Sequence, residues 1–197
     1  MPQDLVRVDP GSIERYGATA QQHFDAIRQE LVKLVDDAVQ VDYFGPNAVN
    51  FKTKCGEMAS DFGTKFSTSL GEIADAVRQA TSHVSQALGG RPISISVNGA
   101  QIPLPPVPQG DGSVQMKASG LETLVQQVNA HMGRISDSLD VHLRELQGTD
   151  WVGQAKETAT QAVQKFTVQA KGQASDAHQA ISKYINQQIE AVRQADQ

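Results

Sequence analysis

Cysteine, aromatic residues and long apolar runs are scarce in this chain, and each scarcity excludes something. Cys55 is the only cysteine. No internal disulfide can form, and the thiol reads as a small apolar residue on a buried helix face. Aromatics make up 5% of 197 residues, against 39% hydrophobic in all. A core built from this mix is aliphatic and small, as in long helices packed closely together. No stretch approaches the ~18 apolar residues that a membrane-spanning helix needs. The opening residues, Met1 to Pro10, lack the apolar centre of a cleaved signal peptide. These features fit a cytosolic protein or one exported by a route without a cleaved signal. Basic residues are outnumbered 17 to 22, for a net charge of -5. No basic stripe exists, so nucleic-acid binding has little electrostatic footing.

Catalytic motifs are equally thin. His23, His83, His131, His142 and His178 are scattered. His131 and His142 share a helix face, yet no cysteine or carboxylate pair completes a metal set at short spacing. Nothing places a base beside Cys55. Asp36-Asp37 and Asp42 read as a solvated helix end. Gly89-Gly90 lacks the Lys-Ser/Thr that would make a phosphate loop. The sequence offers no catalytic, metal-ligating or cofactor-binding residue, and a non-enzymatic protein is expected.

What the chain does have is helical periodicity, twice over. Asp9 can cap a helix with Pro10 in its first turn. Ile13, Tyr16, Ala20, Phe24, Ile27, Leu31, Leu34, Ala38 and Val41 then form one stripe over about eight turns. Asp42 to Asn47 breaks it at Gly45-Pro46. A second stripe runs from Phe51 through Cys55, Met58, Phe62, Phe66, Ile73 and Val77 to Ala87, ending at Leu88-Gly89-Gly90. Gly56, Gly63 and Gly71 weaken this helix unless they permit close approach. A third helix is expected after a capping box at Ser119 and Glu122, with Leu121, Val125, Val128, Met132, Ile135 and Leu139 on its stripe. The fourth follows a corner at 148–154 and carries Ala155, Ala159, Ala162, Phe166, Ala170, Ala174, Ile181 and Val192.

Residues 89–118 differ. Most of the prolines fall there, from Pro92 to Pro108. Ile93-Ser-Ile95-Ser-Val97 alternates with period two and Asn98-Gly99 follows, the pattern of a short β-hairpin returning at Ile102, or of a plain extended linker. Residues 1–9 read as irregular. The expected organisation is a first helical hairpin over 1–88 with its turn at 42–47, a Pro/Gly-rich linker over 89–118, and a second hairpin over 119–197. Each hairpin alone leaves apolar surface exposed. The expected fold is therefore all-α: two long hairpins packed as an elongated four-helix bundle within one chain. A linker of ~30 residues can reach ~90 Å. That is extravagant for parallel hairpins and sufficient for antiparallel ones, whose bundle is ~45–60 Å long.

The two corners echo each other. Trp151-Val152-Gly153 stands 108 residues after Tyr43-Phe44-Gly45. An aromatic, any residue and a glycine at the turn of a hairpin of ~80 residues resembles the WXG family of type VII secretion substrates, the early secretory antigenic target group. Tyr43 takes the place of the tryptophan in the first half. Ala48, Phe51 and the opening Val8-Asp9-Pro10 also resemble that family. The resemblance covers both halves and implies a fused version of the family's hairpin dimer, a monomeric pseudo-dimer. It implies export by a membrane ATPase translocon of Gram-positive or actinobacterial cells, with that machinery or other WXG-like proteins as partners. Trp151, Gly153, Tyr43 and Gly45 are the implied recognition residues, and Tyr184 to Gln197, with Tyr184 and Glu190, the implied docking tail. One departure stands out. Where mycobacterial substrates carry an acid four residues after a tyrosine, Tyr184 is followed by Gln188, and the nearest acid is Glu190. Two other readings fit the composition: a cytosolic helical adaptor or scaffold, and a membrane-active secreted protein exposing its amphipathic stripes.

Overall fold

The computed structural model describes residues 5–97, 101–115 and 117–197. Four helices dominate: α1 (Pro10–Gln40), α2 (Pro46–Ala87), α3 (Ala118–Gln147) and α4 (Gln154–Ala195). Two strands of two residues, β1 (Arg7–Val8) and β2 (Trp151–Val152), pair antiparallel. Helix α1 packs on α2 and α3, and α4 packs on α3 and α2, leaving α1–α4 and α2–α3 as the diagonals of a four-helix bundle. The core runs unbroken along its axis, from Ile13, Tyr16, Trp151 and Leu146 at one end to Tyr43, Phe51, Leu121 and Ile189 at the other.

The hairpins are antiparallel. Residues leading into α1 meet the second corner through β1 and β2. At the opposite end, Gln188 near the close of α4 donates to the Tyr43 hydroxyl of the first corner at 2.7 Å. The linker must therefore run the length of the bundle. It lies along the groove between α1 and α2 as a strap.

The strap explains why the expected hairpin is not formed by the described residues. Asn98-Gly99 lies outside them, while 91–97 and 101–110 carry no strand. Helix side chains satisfy the strap's backbone instead. Ser82 Oγ accepts from Ile93 N at 2.9 Å and donates to Ile93 O at 3.1 Å. The Gln21 amide pairs with both backbone groups of Ser96. Ile102 N donates to Thr64 Oγ1 at 3.0 Å, and Ser60 Oγ donates to Ile102 O at 2.6 Å. The period-two pattern is real, but its buried face, Ile93 and Ile95, packs on helices. Ile93 and Ile102 enter notches at Gly17 and Gly63, where an added Cβ would lie 2.5 Å and 2.9 Å from them. Gly56 likewise receives Leu104. Two of the three glycines of α2 thus admit the strap, and Gly56 also admits Val39 of the neighbouring α1.

Three local expectations are corrected. Residues 7–8, read as irregular, form β1. The capping box at Ser119 is absent, because α3 starts at Ala118, with Lys117 at its N-cap and no side-chain cap; Glu122 pairs with Arg193 at 2.6 Å. The later stripes also slip: Leu124, His131, Val163 and Thr167 are buried, while Ala155 and Ala162 face solvent. Alanine is small enough to sit on either face, so it marks a stripe poorly. At α1 the expectation stands: Asp9 accepts from Gly11 N at 3.0 Å with Pro10 opening the helix.

Candidate functional site

The two aromatic-x-Gly corners lie at opposite ends of the bundle, and each is completed by the other half of the chain. At the second corner, α3 stops at Gly148. Thr149 Oγ1 donates to Leu146 O at 2.7 Å, and Lys156 Nζ, from the first turn of α4, donates to the carbonyls of Gln147 and Thr149 at 2.9 and 2.8 Å. Trp151 then turns into the core and is 1% exposed. Its partner across the strands is Val8, and Val152 faces Arg7. Asp150 sits in a ring of contacts from the chain's start: its carbonyl accepts from Asp9 N, its N–H donates to Ser12 Oγ, and its carboxylate pairs with Arg7 at 2.9 Å. The indole N–H meets no acceptor among the described residues. Gly153 enters α4 at φ 142°, in the region that favours glycine, so the motif's glycine is a backbone requirement.

The first corner repeats this plan. Phe44 forms an antiparallel bridge with Gln115, with N–H to O distances of 3.0 and 2.9 Å. Gly45 enters α2 at φ 139°. Arg7 and Gln115 stand 108 residues apart, as do Val6 and Val114. Val6 packs against Gly153 and Val114 against Gly45. Each half thus lends the segment ahead of its first helix to the corner of the other half. This reciprocal strand exchange escaped the sequence reading. Its signal is a Val-x pair at the repeat spacing, and two-residue strands are too short to announce themselves by periodicity.

The corners differ in finish. Tyr43 is buried, its hydroxyl taken by Gln188, its ring edge-on to Phe51 at 5.8 Å. Phe51 in turn stacks on Tyr184 at 5.3 Å. Tyr184 therefore belongs to the Tyr43 corner, and burial, then Cys55 and Tyr43, raise its hydroxyl pKa. Lys52 is buried with its ammonium 4.2 Å from the centre of the Phe44 ring, and burial lowers its pKa despite the opposing pull of Asp42. Gln188, at the position where an acid would complete a Tyr-x-x-x-acid signal, is engaged at this corner. Glu190 is exposed beside Arg193 at 3.2 Å. Leu5, Val6 and Val152 are exposed at the Trp151 end, and Val114, the counterpart of Val6, is exposed at the Tyr43 end.

The remaining candidates do not converge. Cys55 is buried, and burial pushes its thiol up to about 12. His178 meets Asn129, His83 is exposed, His142 meets the Tyr16 hydroxyl at 2.7 Å, and His23 and His131 pair with carboxylates across the α1–α3 seam. Among the described residues no group of three or more His, Cys, Asp or Glu side chains could hold a metal ion, and no helix is long and apolar enough to cross a membrane. No protein-family model matches the chain, and comparison with curated proteins and with solved structures gives no match.

Proposed function

We propose that this chain is a fused pair of WXG-like hairpins, exported by a type VII secretion system as substrate or export partner, with the Trp151 corner as the end the machinery reads. One observation carries the reading: two aromatic-x-Gly corners, one repeat apart, each completed by the opposite half. A chain built this way holds within itself the pairing that separate hairpins would achieve by dimerising. The choice of corner rests on accessibility. The Tyr43 corner is tied down by Gln188, Phe51 and Lys52 and exposes Val114, whereas the Trp151 corner offers the three side chains Leu5, Val6 and Val152 to a partner.

The test is export from a strain with a working type VII system and from the same strain lacking the translocon ATPase. The chain should appear in the first culture supernatant, untrimmed, and not in the second. Equal amounts in both would sink the proposal. Within the first strain, Trp151→Ala should reduce export more than Tyr43→Ala. Each truncation leaves a core cavity, costing about 3–5 kcal/mol, so Trp151→Phe and Tyr43→Phe serve as folded controls. Equal export by the two corners' variants would remove the assignment to the Trp151 end.

A further inference from the structure

The repeat makes the two corners comparable side chain by side chain, and the α2–α4 seam beside them is finished in two different ways. At the Tyr43 corner large side chains fill it. Phe51 of α2 stacks on Tyr184 of α4 at 5.3 Å, and the Lys54 ammonium lies 4.9 Å from the centre of the same Tyr184 ring. Gln188 donates to the Tyr43 hydroxyl. At the repeat spacing, Tyr43, Phe51 and Lys54 correspond to Trp151, Ala159 and Ala162, and Tyr184 and Gln188 correspond to Ala76 and Ala80. The indole is larger than the phenol it replaces. Every other member of the set has become alanine.

Those alanines leave a groove. Between α2 and α4, where α4 leaves the Trp151 corner, Ala76, Ala80, Ala159 and Ala162 line an open groove of about 440 Å³ together with Gln154 and Thr158. No charged side chain lines it. The corner itself adds a second, independent observation. Trp151 is buried, and its indole N–H meets no acceptor among the described residues. An indole nitrogen can only donate, and a buried donor without an acceptor is unfavourable. Ala80, standing where Gln188 serves the other corner, has no side-chain atom to offer it. Compared with the Tyr43 corner, this one lacks a ring and a hydrogen-bonding group at the same place.

We propose that the Ala76–Ala80–Ala159–Ala162 groove receives an aromatic side chain of a partner protein, with a carbonyl or carboxamide oxygen beside it that takes the Trp151 indole N–H. The partner supplies from outside the kind of filling that Tyr184 and Gln188 supply from within at the other corner. The uncharged lining suits a ring, and aromatic side chains with a nearby polar group are the usual anchors of protein interfaces. A protein is the occupant, rather than a small ligand, because Leu5, Val6 and Val152 are exposed at the same end, more apolar surface than one ring covers. The inference rests on the reading of the Trp151 corner as the end that a secretion machinery recognises, and names the chemistry that the machinery brings to it.

The test titrates the purified chain with N-acetyl-L-tyrosinamide, which carries a phenol ring and carbonyl oxygens, and follows the single indole N–H resonance in ¹H–¹⁵N spectra. The resonance should move saturably, with half-saturation in about the millimolar range expected of so small a probe. N-acetyl-L-alaninamide, which has the carbonyls and no ring, should leave it in place. Ala76→Tyr/Ala80→Gln rebuilds the filling of the Tyr43 corner and should weaken probe binding by about tenfold or more. The absence of a saturable shift, or an equal shift in the filled variant or with the alanine probe, overturns the proposal. Should the double variant fail to fold, Ala76→Glu, which sets a charge in the groove at an exposed position, takes its place with the same outcomes. None of these measurements depends on export. In the strain with a working type VII system, Ala76→Tyr/Ala80→Gln should also reduce export. Undiminished export with probe binding lost would overturn the machinery as the groove's partner.

Discussion

His142 occupies the position that Leu34 holds one repeat earlier, so a core place in the seam has been given to an imidazole. It is 1% exposed, and its hydrogen bond is to the Tyr16 hydroxyl. Burial, aided by the nearby His23, lowers its pKa to about 4, and burial raises that of Tyr16. The sign follows directly. The folded chain keeps His142 neutral down to about pH 4, while the unfolded chain takes up a proton near the ordinary value of ~6.5. Stability is therefore lost as pH falls through that window, by up to about 3 kcal/mol from this residue. Urea midpoints measured at pH 7 and pH 4.5 should drop for the wild type and drop less for His142→Gln, which still offers Tyr16 a partner. An equal drop in both would show that the acid sensitivity lies elsewhere.

Helix α2 has three interior glycines whose surroundings assign them opposite roles. Gly63 holds Ile102 of the strap, while a Cβ at Gly71 would meet nothing within 4 Å. Gly71→Ala should stabilise the chain by about 1 kcal/mol, through helix propensity alone. Gly63→Ala should destabilise it, because Ile102 must leave its notch. Thermal melts of the two variants check both signs, and a shift of the same sign in both would refute the strap's grip. The helices themselves were legible in the sequence, since stripes such as Ile13 to Val41 repeat over many turns and the corners are punctuated by glycine. The aromatic-x-Gly echo was legible too. The strap's path was not, because Ile93-Ser-Ile95 has the same alternation whether its apolar face meets a strand or a helix groove. The strand exchange and the His131–Asp37 contact were hidden for another reason: each joins residues 71 or more positions apart, and their register is set by how the halves dock.

At the scale of the molecule, the bundle needs both halves, because each corner borrows from the other. The chain should therefore sediment as a monomer of 21.2 kDa and unfold in one transition. An obligate dimer, or two separated transitions, would contradict the internal pseudo-dimer. The exchange also fixes an order of events during synthesis. The Tyr43 corner waits for Gln115, whereas the strand Arg7–Val8 waits for the Trp151 corner, across a far longer loop. Doubling a loop costs only about 0.6 kcal/mol, so this is a matter of timing rather than of stability. As the chain leaves the ribosome, Leu5 to Val8 has no docking place until the second corner, which bears the tryptophan, emerges. The Tyr43 end closes later still, because Tyr184 and Gln188 of α4 emerge after that turn; the only indole in the chain is thus a natural marker of the docking of the first strand, ahead of the bundle's completion.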